Sequence, residues 1–536
     1  MMLFSFLLFF VLFTQTTSND TRCDKTPLCY LTNNSTVIIC DRMYAQTNES
    51  DVFPSLSCFP PVKTYLFRNF PKIRLHAFED IKFPENESFS IKVVNASFIE
   101  TEAFSKSLII PPSSKLSIDI GDLDSSSSIV LRFSAFNHIK IDHLHFTNIN
   151  SFNGRSVFDT DCFGDDLDIN LLTFENCAIG GFSNIIHKPV DVAYLSIINS
   201  PKLTQLTDKS LPSFLSTSKS LEISNTNLQM INAHTFQAWS LILEELIITN
   251  NSNLETFPSS IVDGILMKLN KLDLSYNSIK NLDIDYDWFS YSSTKYLLLR
   301  NQQLDLFLKT NLLKTLPALE KIDFSQGFIS ANNDDLIKNH FQNISNLNSI
   351  DVSYTNLTEN MIIDLLTAIS NVATHFVDVR LFGHTLSDKN FCSYFKIFKN
   401  APGLLHLELD ESHDCNCIID LFYMNNVRQS VTNTSVLQPT CLSNFTRIPC
   451  DVETQLSISK CNIGSQNPDA SGEGNKLGKY AFGFIVAGLV VVVMVLLSLG
   501  FSVVYQIRRR RNTDLDMDQP IENPLAAIIE ERLQNQ

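Results

Sequence analysis

The chain has 536 residues, of which 44% are hydrophobic and 18% are charged, and its formal net charge at pH 7 is −16. This length allows about three or four average domains, unless an internal repeat governs the fold. A strongly negative chain is poorly suited to binding a polyanion, because like charges repel. The charge therefore argues against nucleic acid or heparin as the principal ligand.

Residues 1–18 are predicted to be a secretory signal peptide. An apolar run from Leu3 to Phe13 is followed by the polar or small residues Thr16, Thr17 and Ser18, which is the order of segments in such a peptide. Sequons of the type Asn-x-Ser/Thr occur later in the chain and suit a secreted segment. The predicted glycosylation sites are Asn19, Asn33, Asn34, Asn48, Asn86, Asn95, Asn250, Asn343, Asn356, Asn433 and Asn444.

Residues 19–61 are predicted to form a cap that contains cysteines. The four cysteines of this segment are Cys23, Cys29, Cys40 and Cys58. In a secreted segment an even number of cysteines indicates disulfides. Four cysteines allow three different pairings, and the sequence does not select one of them.

Residues 62–412 repeat the pattern L-x-x-L-x-L-x-x-N-x-L, which is clearest in LNKLDLSYNSIKNLD from Leu269 onward. Alternation along a strand points two apolar residues inward, and parallel stacking of such strands buries them. The pattern predicts fourteen units at intervals of 23 to 30 residues. The residues that open the strand cores are Tyr65, Ile91, Ile118, Leu144, Leu172, Leu195, Leu221, Leu246, Leu272, Leu297, Ile322, Ile350, Val377 and Leu407. The predicted fold is an α/β solenoid, a leucine-rich-repeat horseshoe with a parallel concave β-sheet.

Two further positions of the repeat have predicted structural roles. The asparagine lies at the corner after the strand, where its side chain can bond to backbone groups that the turn leaves unpaired. It is present as Asn251 and Asn277. Other residues replace it elsewhere, namely Cys177, Thr226, Gln302, Gly327 and Thr355. A phenylalanine that follows several repeats is predicted to pack under the convex side, as at Phe78, Phe104 and Phe236.

On these repeats the chain resembles the extracellular leucine-rich-repeat transmembrane proteins, a broad group that includes Toll-like ectodomains and neuronal adhesion molecules. The resemblance extends from about Cys23 to Cys461. It implies a second cap over residues 413–461, in which Cys415 would pair with Cys441 and Cys417 with Cys461. Cys392 and Cys450 lie outside this pattern, and we expect them to pair with each other.

Cys162 and Cys177 lie inside the array, and they could either form a disulfide or remain reduced. A zinc site in the Cys-x-Cys of the second cap is disfavoured, because the segment is secreted and lacks C-x-x-C pairs. The sequence therefore predicts no metal centre and no cofactor.

The C-terminal part is predicted to cross a membrane once. Residues 462–479 are polar and form a flexible stalk. Residues 480–505 lack charged side chains and are long enough for a transmembrane helix, and the following run Arg508–Arg511 indicates the cytoplasmic side. We therefore expect a type I plasma-membrane protein with a tail at 506–536. Within that tail, Leu525 to Leu533 could form a helix that binds an adaptor, or could be disordered or lie on the membrane.

The concave face is the predicted binding surface. The central outward positions from the seventh repeat onward are Glu222, Ile247, Asp273, Leu298, Asp323, Asp351, Asp378 and Glu408. This acidic row is either a solvated sheet face or a groove for a basic partner or a cation. Aromatic and arginine side chains, which are common interface anchors, flank the row. They are Tyr296, Arg300, Phe376 and Arg380.

No catalytic motif occurs in the sequence, so we expect a protein without enzymatic activity. The first functional hypothesis is a cell-surface protein that binds extracellular or cell-surface protein ligands, in adhesion, matrix contact or as a co-receptor, with a homodimer as a further possibility. The second is an apical-matrix or membrane-organising protein without a discrete ligand. The third is an innate-immune sensor that acts through a co-receptor, which the short tail makes less favourable.

Overall fold

The computed structural model describes residues 28–422, with gaps. The residues left out within this span are 33–35, 45–52, 106–107, 109, 112, 123–126, 183–190, 208–216, 233–234, 237–240, 258–267, 283–292, 310–311, 330–336, 338–339, 342–343, 402–403, 410–416 and 419–420. The chain divides into two compact units, Met1–Lys460 and Cys461–Gln536, and all described residues belong to the first unit. No helix among the described residues is long and apolar enough to span a membrane. The predicted signal peptide, stalk, transmembrane segment and tail lie outside the described residues.

Sixteen strands form one continuous sheet in chain order. The strands are β1 (Cys29–Leu31), β2 (Val37–Asp41), β3 (Thr64–Arg68), β4 (Ser88–Val94), β5 (Lys115–Gly121), β6 (Lys140–Thr147), β7 (Asp168–Glu175), β8 (Asp191–Ile198), β9 (Ser220–Ser224), β10 (Glu245–Thr249), β11 (Lys271–Asp273), β12 (Tyr296–Leu298), β13 (Lys321–Asp323), β14 (Ser349–Asp351), β15 (Val377–Arg380) and β16 (Leu405–Glu408). The strands β1 and β2 are antiparallel, whereas every later pair is parallel. A parallel sheet with one strand per repeat, in chain order, confirms the leucine-rich-repeat solenoid.

The strand register confirms all but one of the predicted strand cores. Tyr65 pairs with Ile91, and the same alignment continues from strand to strand as far as Ile350. Ile350 then pairs with Val379, so the prediction of Val377 was wrong by two residues. Both valines are buried, and a period of two fits either of them equally well. The sequence pattern therefore could not choose between these two frames.

The connections behind the sheet differ along the chain. In the repeats before β12 most of the described connections are short strands, at Lys72–Ile73, Phe98–Ile99, Phe104–Ser105, Ser127–Leu131, Phe136–Asn137, Ile149–Phe152, Val157–Phe158, Gly181–Phe182, Gln205–Leu206, Met230–Ile231, Thr256–Phe257 and Asn281–Leu282. The later repeats contain three described α-helices, α1 (Leu304–Lys309), α2 (Glu359–Val372) and α3 (Phe391–Asn400). Thr358 caps α2 by accepting a hydrogen bond from the Met361 amide at 3.3 Å, which satisfies an N–H that the first helical turn leaves free.

The predicted corner bonds are present at the asparagine position of the later repeats. The Asn251 amide is fully buried and donates to the carbonyls of Ile223 and Thr249 at 3.2 and 2.9 Å. Its oxygen accepts from both the backbone N–H and the hydroxyl of Thr226 at 3.0 and 2.6 Å. Asn277 continues the ladder, because its oxygen accepts from the Asn251 N–H at 2.9 Å. Each amide therefore joins its own repeat to the preceding one.

The predicted phenylalanine packing is also present and is most extensive in the earlier repeats. The rings of Phe78 and Phe104 lie 4.6 Å apart, and those of Phe104 and Phe136 lie 5.1 Å apart, all in stacked orientation. A second stack joins Phe146 to Phe174 at 5.2 Å. These side chains are completely buried, so stacked aromatic rings form a large part of the interior of the earlier repeats.

The described cysteines are either disulfide-bonded or buried as free thiols. A disulfide joins Cys29 on β1 to Cys40 on β2, and Cys58, Cys392 and Cys417 are also disulfide-bonded. Cys162 and Cys177 are buried free thiols, and burial raises the pKa of the Cys177 thiol to about 12. The Cys177 thiol occupies a corner position and contacts the carbonyls of Phe146 and Glu175 at 3.4 Å. Cys23, Cys415, Cys441, Cys450 and Cys461 lie outside the described residues.

Candidate functional site on the strand face

The candidate site consists of the outward side chains of β9–β16 and of the residues that directly flank these strands, and we call it the strand face. The register aligns one central row across these eight strands. The row reads Glu222, Ile247, Asp273, Leu298, Asp323, Asp351, Arg380 and Glu408. Neighbouring members lie about 4.8 Å apart, the usual spacing of paired strands. The row is therefore acidic but is interrupted by an arginine near its end.

Asp378 does not belong to the central row, and its predicted position there was wrong. It pairs with Ser349 on β14 and with His406 on β16. The error follows from the two-residue shift of the β15 core described above. Arg380 takes the place between Asp351 and Glu408, and its Nε donates to the Glu408 carboxylate at 2.8 Å. An attractive pair of opposite charges therefore lies at this end of the row, where the sequence predicted the two neighbouring acids Asp378 and Glu408.

Asp323 is buried, with only 3% of its side chain exposed. One carboxylate oxygen accepts from Arg300 Nε at 2.6 Å, and the other accepts from the Ser325 N–H and hydroxyl at 3.1 and 2.7 Å. The hydrogen bond to Asp323 raises the pKa of Arg300. The charge of Asp323 is therefore neutralised within the protein. Asp323 stabilises the fold, and its carboxylate is already occupied by internal hydrogen bonds.

Three aspartates of the central row stabilise the turns that follow their strands. Asp273 accepts a hydrogen bond from the Ser275 N–H at 3.0 Å, and Asp351 accepts one from the Ser353 N–H at 2.9 Å. Asp323 makes the same bond to Ser325. An aspartate that bonds to the backbone two residues later stabilises a turn. The sequence signal was Asp-x-Ser in three repeats, and its meaning was missed because the acids were considered only as a charged row.

The predicted aromatic anchors are exposed. Tyr296 is 36% exposed on β12, and Phe376 is 43% exposed just before β15. The Phe376 ring stacks on His406 with the centroids 5.7 Å apart. Arg300 and Arg380 keep 43% and 45% of their side chains exposed while each is paired with an acid. The strand face therefore presents two aromatic rings and two positioned guanidinium groups.

A second asparagine row lies just after the strands, and sequence reasoning missed it. These residues adopt positive φ, which asparagine tolerates better than most side chains. They are Asn69, Asn95, Asn148, Asn176, Asn199, Asn225, Asn250 and Asn301. Side-chain amides join neighbouring repeats, as from Asn95 to Asn69 at 2.9 Å and from Asn176 to Asn148 at 2.6 Å. In the sequence, an asparagine one residue before the corner position marks this row.

Four predicted glycosylation sites lie among the described residues. Asn86, Asn250 and Asn356 are exposed. Asn95 is half-buried in the second asparagine row, whereas the Asn356 amide bonds to both backbone groups of Ile329 at 2.7 and 2.9 Å. The other predicted sites lie outside the described residues, namely Asn19, Asn33, Asn34, Asn48, Asn343, Asn433 and Asn444.

The outward residues of the earlier repeats form a different arrangement, centred on His145 of β6. His145 Nδ1 lies 3.5 Å from Asp119, and its Nε2 lies 3.1 Å from Glu175. Burial alone would raise the pKa of Asp119, but hydrogen bonds from His145 and Lys92 lower it below its ordinary value. The His145 ring is therefore held between acids on two different strands.

The assignment of the fold rests on the sheet described above and not on comparisons with known proteins. No family model and no curated protein matches the chain. Among solved structures, the TLR13–ssRNA13 complex matches with 15% identity and a TM-score of 0.40 over 66% of this chain and 54% of that chain. The Toll–Spatzle complex of Drosophila matches with 12% identity and a TM-score of 0.28 over 75% of this chain and 67% of that chain. The chain thus spans about half the length of the TLR13 chain.

Proposed function

We propose that this protein is a non-catalytic cell-surface protein that binds protein partners through the strand face. The observation that carries this proposal is the exposure of Tyr296 and Phe376 on the same sheet as Arg300 and Arg380. Tyrosine, other aromatic residues and arginine supply a large share of the binding energy at protein interfaces. The proposed membrane anchoring rests on the apolar sequence of residues 480–505.

The two arginines are suited to this role because each already forms an ion pair with a carboxylate of the protein. A paired guanidinium loses less side-chain freedom on binding than a free one, and it keeps further N–H groups for a partner. Arg300 is held by the buried Asp323, and Arg380 is held by Glu408. Both retain exposed surface. Their guanidinium groups would donate hydrogen bonds to carboxylates or backbone carbonyls of a protein partner.

The internal pairing of the acids makes a purely basic ligand less suitable than the sequence implied. Asp323 and Glu408 have arginine partners, and Asp378 accepts from His406 Nδ1 at 2.8 Å. Glu222, Asp273 and Asp351 remain half-buried, and each accepts at least one hydrogen bond from a neighbouring serine residue. A partner surface of mixed charge with an apolar centre fits this face best.

The alternatives are separable by experiment. An apical-matrix or membrane-organising protein would need no discrete ligand on the strand face. An innate-immune sensor would require a co-receptor, or an adaptor bound near Leu525 to Leu533. A homodimer would use a second copy of the chain as the partner. The expectation that nucleic acid is not a partner rests on the net charge of −16 alone, so RNA belongs among the ligands to be tested.

The test is proximity labelling on cells that display the full chain, with and without the double substitution Tyr296→Ser and Phe376→Ser. The matched control is Met230→Ser with Leu241→Ser, which removes two exposed apolar side chains outside the sixteen-stranded sheet. We expect the strand-face variant to lose its labelled protein partners while the control keeps them, at equal surface levels. Equal labelling by all three proteins would contradict the proposal.

A further inference from the structure

Asp378, His406 and Glu408 bring three metal-binding groups together at the end of the strand face. Asp378 and His406 are direct neighbours on β15 and β16, and Glu408 lies two residues after His406 on the same side of its strand. One ligand atom from each residue lies within 4.8 Å of the others. All three side chains are half-buried.

The distances are close to those of a metal site. His406 Nδ1 lies 2.8 Å from Asp378 Oδ1 and 3.9 Å from Glu408 Oε1. Ligands bonded at about 2.1 Å in tetrahedral geometry lie roughly 3.4 Å from one another. The two distances from His406 bracket this value, and the Asp378 and Glu408 ligand atoms lie within 4.8 Å of each other.

Neighbouring residues hold two of the ligands in position. Arg380 binds Glu408 through Oε2, which leaves Oε1 directed toward His406. The Phe376 ring stacks on the imidazole of His406 at an interplanar angle of 23°. Such contacts with groups outside the ligand set orient the ligands of many metal sites.

From this geometry we propose that Asp378, His406 and Glu408 bind a divalent transition cation, with Zn²⁺ as the best match. One imidazole nitrogen and two carboxylate oxygens form a ligand set that suits Zn²⁺. Zn²⁺ would take the place of the Nδ1 proton between His406 and Asp378, and water would occupy the remaining position. This inference does not depend on the proposed function. If both hold, the open position gives a partner's carboxylate or imidazole a place to bind.

The charge of Arg380 limits the affinity that we expect. Its guanidinium neutralises part of the Glu408 charge and repels a cation at short range. Binding should therefore be weaker than at structural zinc sites.

The test uses the full chain purified in detergent and stripped of metal by a chelator. Equilibrium dialysis against Zn²⁺ at pH 7.4, with bound metal counted by mass spectrometry, gives the stoichiometry, and Co²⁺ in place of Zn²⁺ gives a visible absorption spectrum. The variants are His406→Gln and Asp378→Asn. The matched control is His145→Gln, because His145 also lies between two acids, but these contact opposite ring nitrogens and do not converge.

We expect the unsubstituted chain and His145→Gln to bind one more equivalent of Zn²⁺ than His406→Gln. We expect Asp378→Asn to weaken this site by at least about 100-fold, because it removes a ligand rather than a surrounding contact. Equal stoichiometry and affinity in all four proteins would overturn the proposal, as would an equal loss in His145→Gln. Unchanged unfolding temperatures in the absence of metal would show that the variants are folded.

Discussion

The earlier and later repeats build the same sheet with different interiors. Strands β3–β8 have five to eight residues and enclose stacked phenylalanines. Strands β9–β16 have three to five residues and enclose buried corner amides such as Asn251. An apolar ring gains from burial, whereas a buried amide must satisfy every hydrogen bond. The comparison shows that the same type of repeat can be stabilised either by stacked aromatic rings or by fully hydrogen-bonded amides.

The largest effect is expected where a ring lies in the middle of the aromatic stack. Phe104→Ala removes a fully buried ring that contacts both Phe78 and Phe136. We expect the free energy of unfolding to fall by about 3–5 kcal/mol in denaturant titrations. The control is Phe133→Ala, in which the removed ring is 61% exposed. A similar small change in both variants would mean that the stack does not stabilise the earlier repeats.

A somewhat smaller effect is expected for the corner amide of the later repeats. Asn251→Ala leaves the buried carbonyls of Ile223 and Thr249 and the N–H of Thr226 without this partner. We expect a loss of about 3 kcal/mol in the free energy of unfolding. Asn225→Ala, in the second asparagine row, should cost only about 1 kcal/mol, chiefly from its positive φ. A larger loss of stability in Asn225→Ala than in Asn251→Ala would show that the second asparagine row contributes more to the stability of the later repeats than the corner amides do.

The third prediction separates framework acids from surface acids within the strand face. Asp323→Ala removes a buried carboxylate that serves both Arg300 and Ser325. It should lower the free energy of unfolding by about 2 kcal/mol. Asp351→Ala removes a single backbone hydrogen bond and should cost about 1 kcal/mol or less. Equal losses of stability in Asp323→Ala and Asp351→Ala, measured by thermal unfolding, would contradict the distinction between framework and surface acids.

The smallest effect is expected in the earlier repeats and depends on pH. The folded pKa of Asp119 is lowered, so its stabilising contribution is complete above the unfolded value of about 3.9 and is lost as the pH falls through the folded value. Asp119→Asn should therefore reduce the unfolding temperature at pH 7, and this reduction should become smaller as the pH falls below about 3.9. A constant difference across this range would assign the effect to packing instead of charge.

The sequence predicted the repeats more fully than it predicted the surface that they form. The period, the apolar core and the Asn251 and Asn277 bonds follow from alternation and from the cost of unpaired backbone groups. The register of β15 did not follow, because Val377 and Val379 both satisfy the alternation. The burial of Asp323 was also not predictable, since it depends on Arg300 from the preceding strand reaching across the sheet. Contacts between repeats therefore decide which row residues are exposed.

The most direct test of the strand face as the binding surface is site-specific photo-crosslinking on living cells. A photoreactive amino acid replaces Tyr296 or Phe376 in the full chain, and it replaces Leu241, which is 59% exposed outside the sixteen-stranded sheet, in the control. We predict a crosslinked protein partner from both strand-face positions and none from Leu241. Crosslinks from Leu241 alone, or equal crosslinks from all three positions, would contradict the account.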